Sequence, residues 1–462
     1  MQTEVSVRVG EPLDDIDFTR HLRPRRRFGA RVLSGVLLAL LGAQAGADDG
    51  QELPGPGGFL EPTGKITLSQ AVSAALLASP LLPPSALEIR AREAQALQAG
   101  LLPNPSLLTE VEDFGGGSDR SGFNASQTTV SLSQLIELGG KRAKRIRLAE
   151  AESALANWDY ETQRLEVLSS VANAFIETLV AQERLALSRE LLRIAERSVS
   201  TVARTVESGA VSPLEETRAK VALSQVRVAR DQQLRALEEA RVALATTWGS
   251  TTPSFSSVVG SFPDLKSPPS LEALLANIER NPDLARWSSE LEARGAALEL
   301  ARAAAVPDVT LSAGGRYYQD DQSGGVVFAF SVPLNIFDRN QGGILEAERR
   351  LDKARREQDV ATLTVRSAVA RTYQELQAAY IQASELRERT LPQAEEVFQR
   401  AMDAYARGLL RYIEVLDAQR TLFELRAAYL EALSAYHISE TELARLTGDR
   451  LELGETTGGS RP

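Results

Sequence analysis

Cysteine, histidine and methionine, the residues most often used as nucleophiles, proton carriers and soft metal ligands, are scarce in this sequence. The 462 residues include no cysteine, two histidines and two methionines. Thiolate metal sites, disulfides and a cysteine nucleophile are therefore excluded, and soft metal ions would find only His437 and Met402 beyond the first 47 residues. No glycine-rich phosphate loop is present. The sequence thus predicts no catalytic residue, no cofactor and no resident metal, and a protein that is not an enzyme.

One pair of carboxylates has an informative spacing. Glu414 and Asp417 are three residues apart in a helical pattern, so they share one face of the helix. Taken alone, such a pair is most simply a solvated acidic surface. Gathered from several copies of the chain, it would form a ring that attracts cations. The net charge of −10 disfavours nucleic acid as a partner in either case.

The elements that would position this pair occur twice along the chain. Alternating apolar and polar residues with glycines between them predict one β-hairpin at about 104–137 and another at about 307–336. Each hairpin leads into a long helical pattern, a reversal containing Gly209 or Gly408, and a returning helix. Equivalent features recur about 200 residues apart, which indicates a duplicated architecture.

The helical patterns are too long for a compact domain. Residues 141–208 contain neither proline nor glycine, and a continuous helix of that length would reach ~100 Å. The returning helix carries alanine at an interval of seven, at positions 222, 229, 236 and 243. Because a seven-residue repeat keeps one seam against a neighbouring helix, this pattern predicts close helix packing.

Composition divides the chain into five parts. Residues 1–47 have the arginines, short apolar run and small residues of a signal peptide, with an atypical N-terminal extension. Residues 48–249 and 270–448 are the two predicted repeats, and residues 250–269 are a linker. Residues 449–462 are polar and glycine-rich and are predicted to be disordered.

The hairpins have one face suited to lipid and one suited to water. The predicted lipid-facing residues are Tyr317, Phe328, Phe330 and Val332. Polar residues that suit a wet lumen are Glu110, Glu112, Thr310 and Ser312. Four strands have two open edges and are too few to close a barrel, so several copies must combine their strands. The alternative is a soluble periplasmic coiled-coil scaffold that carries two hairpins.

Four stretches in a fixed order carry a resemblance to a known family. They are LPNPSLLTEVEDFGG (102–116), LIELGGKR (135–142), SVPLNIFDRNQGG (331–343) and YARGLLRYIEVLDAQRTLFE (405–424). Together they resemble the TolC-type outer-membrane efflux proteins, and among them the cobalt–zinc–cadmium resistance branch, over about residues 66–448. Lipidation of an N-terminal cysteine, which some members have, does not carry over to a chain without cysteine.

The resemblance implies a homotrimer in the outer membrane of a Gram-negative cell. Its fold would be mainly α-helical, with a twelve-stranded barrel in the lipid, four strands per chain, continuous with a long α-helical tunnel in the periplasm. Its partners would be a periplasmic adaptor and an inner-membrane pump of the resistance–nodulation–division class. Such a channel would be a passive conduit for heavy-metal cations; the same fold serving a drug exporter or a type I secretion system is the alternative.

The resemblance also assigns roles to the two reversals. They would be the tips that dock the adaptor, comprising Gly209, Ala210, Val211, Ser212, Gly408, Leu409, Leu410 and Arg411. Tyr405, Glu414 and Asp417 match the positions that line the closed periplasmic entrance in the family. On this basis we expect a gate at the tip.

Overall fold

The computed structural model of the chain describes residues 59–448, apart from residues 210 and 263. The predicted signal peptide and the predicted C-terminal tail lie outside the described residues. The first half contains β1 (Gly64–Ile66), α1 (Leu68–Ala78), α2 (Leu82–Ala99), β2 (Ser106–Glu112), β3 (Gln127–Ile136), α3 (Lys141–Glu207) and α4 (Pro213–Thr246). The second half contains β4 (Phe255–Val258), α5 (Leu271–Ala276), α6 (Pro282–Ala304), β5 (Val309–Tyr318), β6 (Ser323–Ser331), α7 (Gln341–Glu385), α8 (Leu391–Ala406) and α9 (Tyr412–Thr447).

The two hairpins form one four-stranded antiparallel sheet in the order β2–β3–β5–β6. At the end of the sheet away from the helices, Gln127 lies opposite Glu112 on one side and Tyr318 on the other, and Tyr318 lies opposite Ser323. β3 and β5 are therefore paired on both sides, whereas β2 and β6 each have one edge that is unpaired within the described residues. Unpaired edges leave backbone donors and acceptors open to another strand.

The sheet exposes its apolar face on all four strands, whereas its polar face is sheltered only along most of β3 and β5. The register sets Leu132 opposite Leu107 and Ala313, and Ala313 opposite Phe328, on the apolar face. Exposed side chains on that face are Leu107, Val111, Val130, Leu132, Leu311, Tyr317, Val326, Phe328 and Phe330. The other face carries Glu110, Glu112, Gln127, Thr129, Ser131, Ser133, Thr310, Ser312 and Arg316. This arrangement is the reverse of a sheet in a water-soluble protein and is typical of strands that face lipid.

The second hairpin differs from its predicted boundaries at both ends. β6 ends at Ser331, so the expectation that Val332 lies on the strand is wrong. Pro333 follows at once, and proline cannot donate a hydrogen bond to a sheet. At the other end β5 begins at Val309, and between the strands the turn covers residues 319–322, with Gln322 at φ 56°. Tyr317, Phe328 and Phe330 do lie on the predicted apolar face.

The helices pack side by side along α3. This helix of 67 residues contacts α2, α4, α6 and α9, and at 1.5 Å per residue it is ~100 Å long. Arg426 of α9 contacts Glu190 of α3 at 3.1 Å and Glu395 of α8 at 2.7 Å. One guanidinium therefore joins three helices well away from the sheet. Among the described residues no single helix is long and apolar enough to cross a membrane, although α1 and α2, bent by 45°, pass together on length and composition.

The second long helical segment continues past Pro392. α7 passes into α8 through a π-helical turn, Leu386–Thr390, and Pro392 lies in the first turn of α8. Proline there removes a hydrogen bond to the carbonyl of residue 388, and the wider turn accommodates that loss. The chain thus continues in one direction instead of reversing.

The predicted linker is partly ordered. β4 lies within residues 250–269 and pairs in parallel with β1. Glu61, just before β1, accepts hydrogen bonds from Trp248 Nε1 at 3.2 Å and from Ser254 Oγ at 2.6 Å. The N-cap of α1 is Thr67, which forms a capping box with Gln70. The start of the chain's first repeat and the linker therefore form one local unit.

Four charged residues join the sheet to the helices. Glu137, just after β3, accepts hydrogen bonds from both terminal nitrogens of Arg145. Asp308, just before β5, contacts Lys141 Nζ at 2.8 Å and accepts a hydrogen bond from the Leu138 N–H at 2.9 Å. The hydrogen bond from Arg145 holds the pKa of Glu137 below its usual value. Burial opposes ionisation of Asp308, but Lys141 and the Leu138 amide outweigh it and lower its pKa.

This junction should make the folding stability of the protein depend on pH in the acidic range. Because both folded-state pKa values lie below the unfolded values of about 4, the stabilisation is present above that pH and is lost as the pH falls through the folded values. We expect Glu137→Gln with Asp308→Asn to lower the melting temperature at pH 7 and to flatten its decline between pH 5 and pH 3. Circular dichroism of the purified protein in detergent measures both. Equal declines in the variant and the unchanged protein would contradict this role.

Candidate functional site at the helix reversals

The two reversals use the same backbone conformation. Gly209 has φ +74° and Gly408 has φ +72°, the left-handed region that glycine adopts without a steric cost. After the first reversal, the Ser212 hydroxyl accepts a hydrogen bond from the Leu214 N–H at 3.3 Å and Pro213 begins α4. At the second, the Leu409 N–H donates to the Ala404 carbonyl at 2.9 Å, which is the usual closure of a helix that ends in glycine. Ala210 lies outside the described residues.

Both reversals lie at the same end of the helices. A buried apolar cluster near this end draws Val202 from α3, Ala219 from α4, Phe398 from α8, and Tyr412 and Val415 from α9. Each residue in it is less than a tenth exposed. The hairpin of α3 and α4 therefore packs directly against the hairpin of α8 and α9 behind the reversals.

Polar groups from the same four helices meet beside this cluster. The rings of Tyr405 and Tyr412 lie 5.6 Å apart. Burial raises the pKa of both phenols, and the carboxylate of Glu215 on α4 raises both further. Thr205 and Ser198 of α3 lie beside the two hydroxyls. One Glu215 oxygen accepts from Arg218 at 2.9 Å, while the other is buried with no hydrogen-bond partner among the described residues.

The two acids predicted for the gate lie one turn apart at the start of α9. Glu414 is half-buried and contacts Arg411 at 3.6 Å, whereas Asp417 is exposed. No hydrogen bond or ion pair in the described part of the chain joins either acid to Tyr405. The predicted gate residues are therefore close in the fold but belong to two groups: Tyr405 to the buried cluster and the acids to the surface.

The exposed apolar side chains at the reversals differ in part from those expected. Leu409 is 72% exposed and Leu410 is 38% exposed, but Val211 is half-buried. Leu214 and Ile413, which the sequence reasoning missed, are exposed at 54% and 42%. Each lies in the first turn of the helix after its reversal. A large apolar residue so close to a reversal is the sequence signal that could have identified them.

A groove of about 1110 Å³ runs along α3 between α4 and α9. Its apolar lining includes Leu187, Leu191, Val221, Val226, Leu416 and Phe423. Ala222 and Ala229 of the seven-residue alanine repeat also line it, and Ala229 is exposed. The seam predicted from the repeat is therefore not filled by another helix within the described residues.

Comparison with known proteins gives concordant results. A family model described as outer membrane efflux protein matches residues 71–250 and 275–449, close to the two repeats. The cobalt-zinc-cadmium resistance protein CzcC of Cupriavidus metallidurans is 33% identical over 388 residues, 84% of this chain and 91% of that protein. The pyoverdine export outer membrane protein OpmQ of Pseudomonas aeruginosa is 28% identical over 403 residues, 80% of this chain and 84% of that protein.

A solved structure has the same architecture. The chain matches a crystal structure of CusC with a TM-score of 0.70 at 22% identity, covering 85% of this chain and 96% of that one. The family match spans more than half of the sequence, and the identity to CzcC extends over most of both chains. These findings confirm the resemblance seen in the four sequence stretches: the chain belongs to the outer membrane efflux protein family.

Proposed function

We propose that this chain is one of three identical subunits of an outer-membrane channel through which a tripartite efflux system exports heavy-metal cations. The observation that carries the proposal is the four-stranded sheet, which exposes its apolar face, shelters its polar face along β3 and β5, and leaves both edges unpaired within the described residues. A sheet of this kind is stable in lipid only as part of a closed barrel. Three copies joined edge to edge give twelve strands, with the polar faces around a water-filled lumen.

The helices extend this lumen away from the membrane. α3 begins four residues after β3 and continues for ~100 Å, so the tunnel wall and the barrel wall are one continuous structure. The unfilled seam on α4 and the groove beside it provide apolar surface for helices outside the chain's own fold. We assign the tunnel to the periplasm because the reversals lie at the end opposite the sheet.

The reversals would dock a periplasmic adaptor, which connects the channel to an inner-membrane pump. Leu214, Leu409, Leu410 and Ile413 expose apolar area where the chain has no further packing of its own. Exposed apolar residues grouped in this way are typical of a protein interface. The half-buried Val211 contributes to the fold of the tip more than to its surface.

The substrate assignment rests on the relatives. CzcC is named for cobalt, zinc and cadmium resistance and is 33% identical, whereas OpmQ is named for pyoverdine export and is 28% identical. Metal cations would pass through as hydrated ions, because the described residues contain no cluster of three or more metal ligands. Export of an organic substrate is the second candidate, favoured by the likeness to OpmQ.

The gate would have two parts. The apolar cluster around Tyr412, against which Tyr405 packs, would hold the two hairpins together near the tip, because separating them would expose its apolar side chains to water. Three copies of Glu414 and Asp417 would surround the narrow entrance with six carboxylates. Such a ring attracts cations and binds hydrated multivalent ions weakly through hard oxygen ligands.

The barrel assignment predicts a difference between the two faces of β6. The register puts Phe328 at mid-sheet and Phe330 nearer the helices, so Phe328 is the sharper test. Phe328→Arg would put a charge in lipid at a cost of roughly 2–4 kcal/mol, whereas the adjacent Val327→Arg would reach the lumen. We expect the first variant to lose most of its trimer on semi-native gels of outer membranes and the second to keep it. Equal yields would contradict the assignment of the faces.

Metal tolerance tests the function and the docking surface together. In a host that lacks its own outer-membrane efflux component, the chain expressed with its pump and adaptor should restore growth in cobalt, zinc or cadmium. Leu409→Asp should abolish that tolerance while leaving the trimer intact, because it removes apolar area from the adaptor contact alone. Leu77→Asp, at another exposed leucine far from the reversals, is the matched control and should remain active. Loss of the trimer in Leu409→Asp would assign that residue to the tunnel wall instead.

Conductance tests the acidic ring. Glu414→Gln with Asp417→Asn should make block by a trivalent cation added on the tip side at least about threefold weaker. The reason is that the attraction between the ring and the ion falls when the negative charge of the ring is removed. Folding should be preserved because Asp417 is exposed and removal of Glu414 from the first helical turn costs about 0.3–1 kcal/mol. Single-channel recording in planar bilayers measures the block. Unchanged block would mean that the acids are only a solvated surface.

A further inference from the structure

The polar face of the sheet carries its charges at one end. On the four strands, the charged residues of this face are Glu110, Glu112 and Arg316. All three lie near the turns, at the end away from the helices. Nearer the helices the same face carries small uncharged residues, among them Ser131, Ser133, Thr310, Ser312, Ala329 and Ser331. Any charge selection within this part of the lumen must therefore occur near the turns.

Arg316 is fully engaged with neighbouring strands. Its Nε donates to Thr129 Oγ1 at 2.8 Å, its Nη1 donates to Gln127 Oε1 at 3.1 Å, and its Nη2 lies 3.2 Å from Glu112 Oε2. These contacts reach from β5 across β3 to β2. Since every nitrogen of the guanidinium has a partner, Arg316 acts as the counter-ion of Glu112 and is not free to hold a passing anion.

The network also ties Arg316 to the first turn. Gln127 Nε2 donates to Asp113 Oδ2 at 3.0 Å, and the other oxygen of Asp113 accepts from Arg120 at 2.6 Å. The guanidinium is therefore held at a fixed place by groups that are themselves hydrogen-bonded. A fixed position makes its cancellation of the Glu112 charge a permanent feature of this end of the sheet.

Glu110 has no such counter-ion. It lies opposite Thr129 on the polar face, two residue pairs nearer the helices than Glu112, and it is exposed. Within residues 59–448 its carboxylate makes no ion pair or hydrogen bond. The three charged side chains thus leave one net negative charge on each sheet, and that charge belongs to Glu110.

We propose that Glu110 is a cation-selecting residue at the outer mouth of the channel and that Arg316 is a positioning residue that cancels the charge of Glu112. The inference rests on the proposed closure of three sheets into one barrel. Three Glu110 carboxylates on a low-dielectric wall would concentrate cations and repel anions at the exit. Because Arg316 removes half of the acidic charge, the ring would attract cations without retaining multivalent ones, which must leave.

The test is ion selectivity in planar bilayers. Glu110→Gln, Glu110→Asp and Arg316→Gln are each made with Glu414→Gln and Asp417→Asn, so that the acids at the tip do not contribute. Reversal potentials are measured in a dilute potassium chloride gradient. We expect Glu110→Gln to lower the potassium-to-chloride permeability ratio about twofold, Glu110→Asp to preserve it, and Arg316→Gln to raise it about twofold by exposing Glu112. Near 1 M salt the differences should vanish, because screening then acts over about 3 Å.

Two results would overturn the inference while leaving the channel itself intact: an unchanged ratio in Glu110→Gln, or a fall in Glu110→Asp equal to that in Glu110→Gln. If Arg316→Gln does not assemble, Glu112→Gln replaces it and should lower the ratio, because it leaves the Arg316 charge uncancelled. A failure of the proposed function has a different signature, since the protein without any of these substitutions would then form no trimer and no channel.

Discussion

The unpaired edges of the four-stranded sheet are the constraint on which the rest of the structure depends. β2 and β6 each present a row of backbone donors and acceptors with no partner among residues 59–448, and the adjoining face is apolar and exposed. In water such a sheet would aggregate, and in lipid each unsatisfied group costs several kcal/mol. Other copies of the same sheet can satisfy both edges at once. Assembly, insertion and the existence of a lumen are therefore one event in this account.

The arrangement of the strands also determines where the long helices lie. β3 and β5 each pass into or out of a helix through the charged junction of Glu137, Lys141, Arg145 and Asp308, so the positions of the strands fix the positions of the helices. Farther along, Arg426 joins α3, α8 and α9, and the apolar cluster around Tyr412 joins the two hairpins at the tip. The same chain thus has a wall that is fixed by the sheet at one end and held by a small apolar cluster at the other.

Local patterns predicted the elements well. Alternation of apolar and polar residues identified both hairpins, and the long stretch without proline or glycine before Gly209 identified α3, because these signals depend on neighbouring residues alone. Gly209 and Gly408 marked the reversals for the same reason, since few other residues adopt positive φ readily. Because the chain is duplicated, the hairpin, long-helix and reversal patterns each occur twice, and each occurrence supports the other.

Features that depend on distant residues could not be predicted in this way. The pairing of β1 with β4 joins segments about 190 residues apart in sequence, and the partners of Arg316 come from two other strands. In the sequence, Glu215 looks like an ordinary acid in the first turn of a helix. Its proximity to Tyr405 and Tyr412 of the second repeat, whose pKa values its charge raises, cannot be read from neighbouring residues. The π-helical turn before Pro392 could not be predicted either, because no local pattern marks such a turn.

Disulfide trapping tests whether the β2 edge of one copy joins the β6 edge of another. The chain has no cysteine, so one cysteine at Val327 on β6 can be combined with single cysteines at each position of β2 without background. Within one chain β2 and β6 are three strand spacings apart, roughly 14 Å, which is too far for a disulfide. We expect at least one position on β2 to give covalent dimers and trimers in outer membranes under oxidation. Monomers alone at every position of β2 would contradict the joining of these two edges.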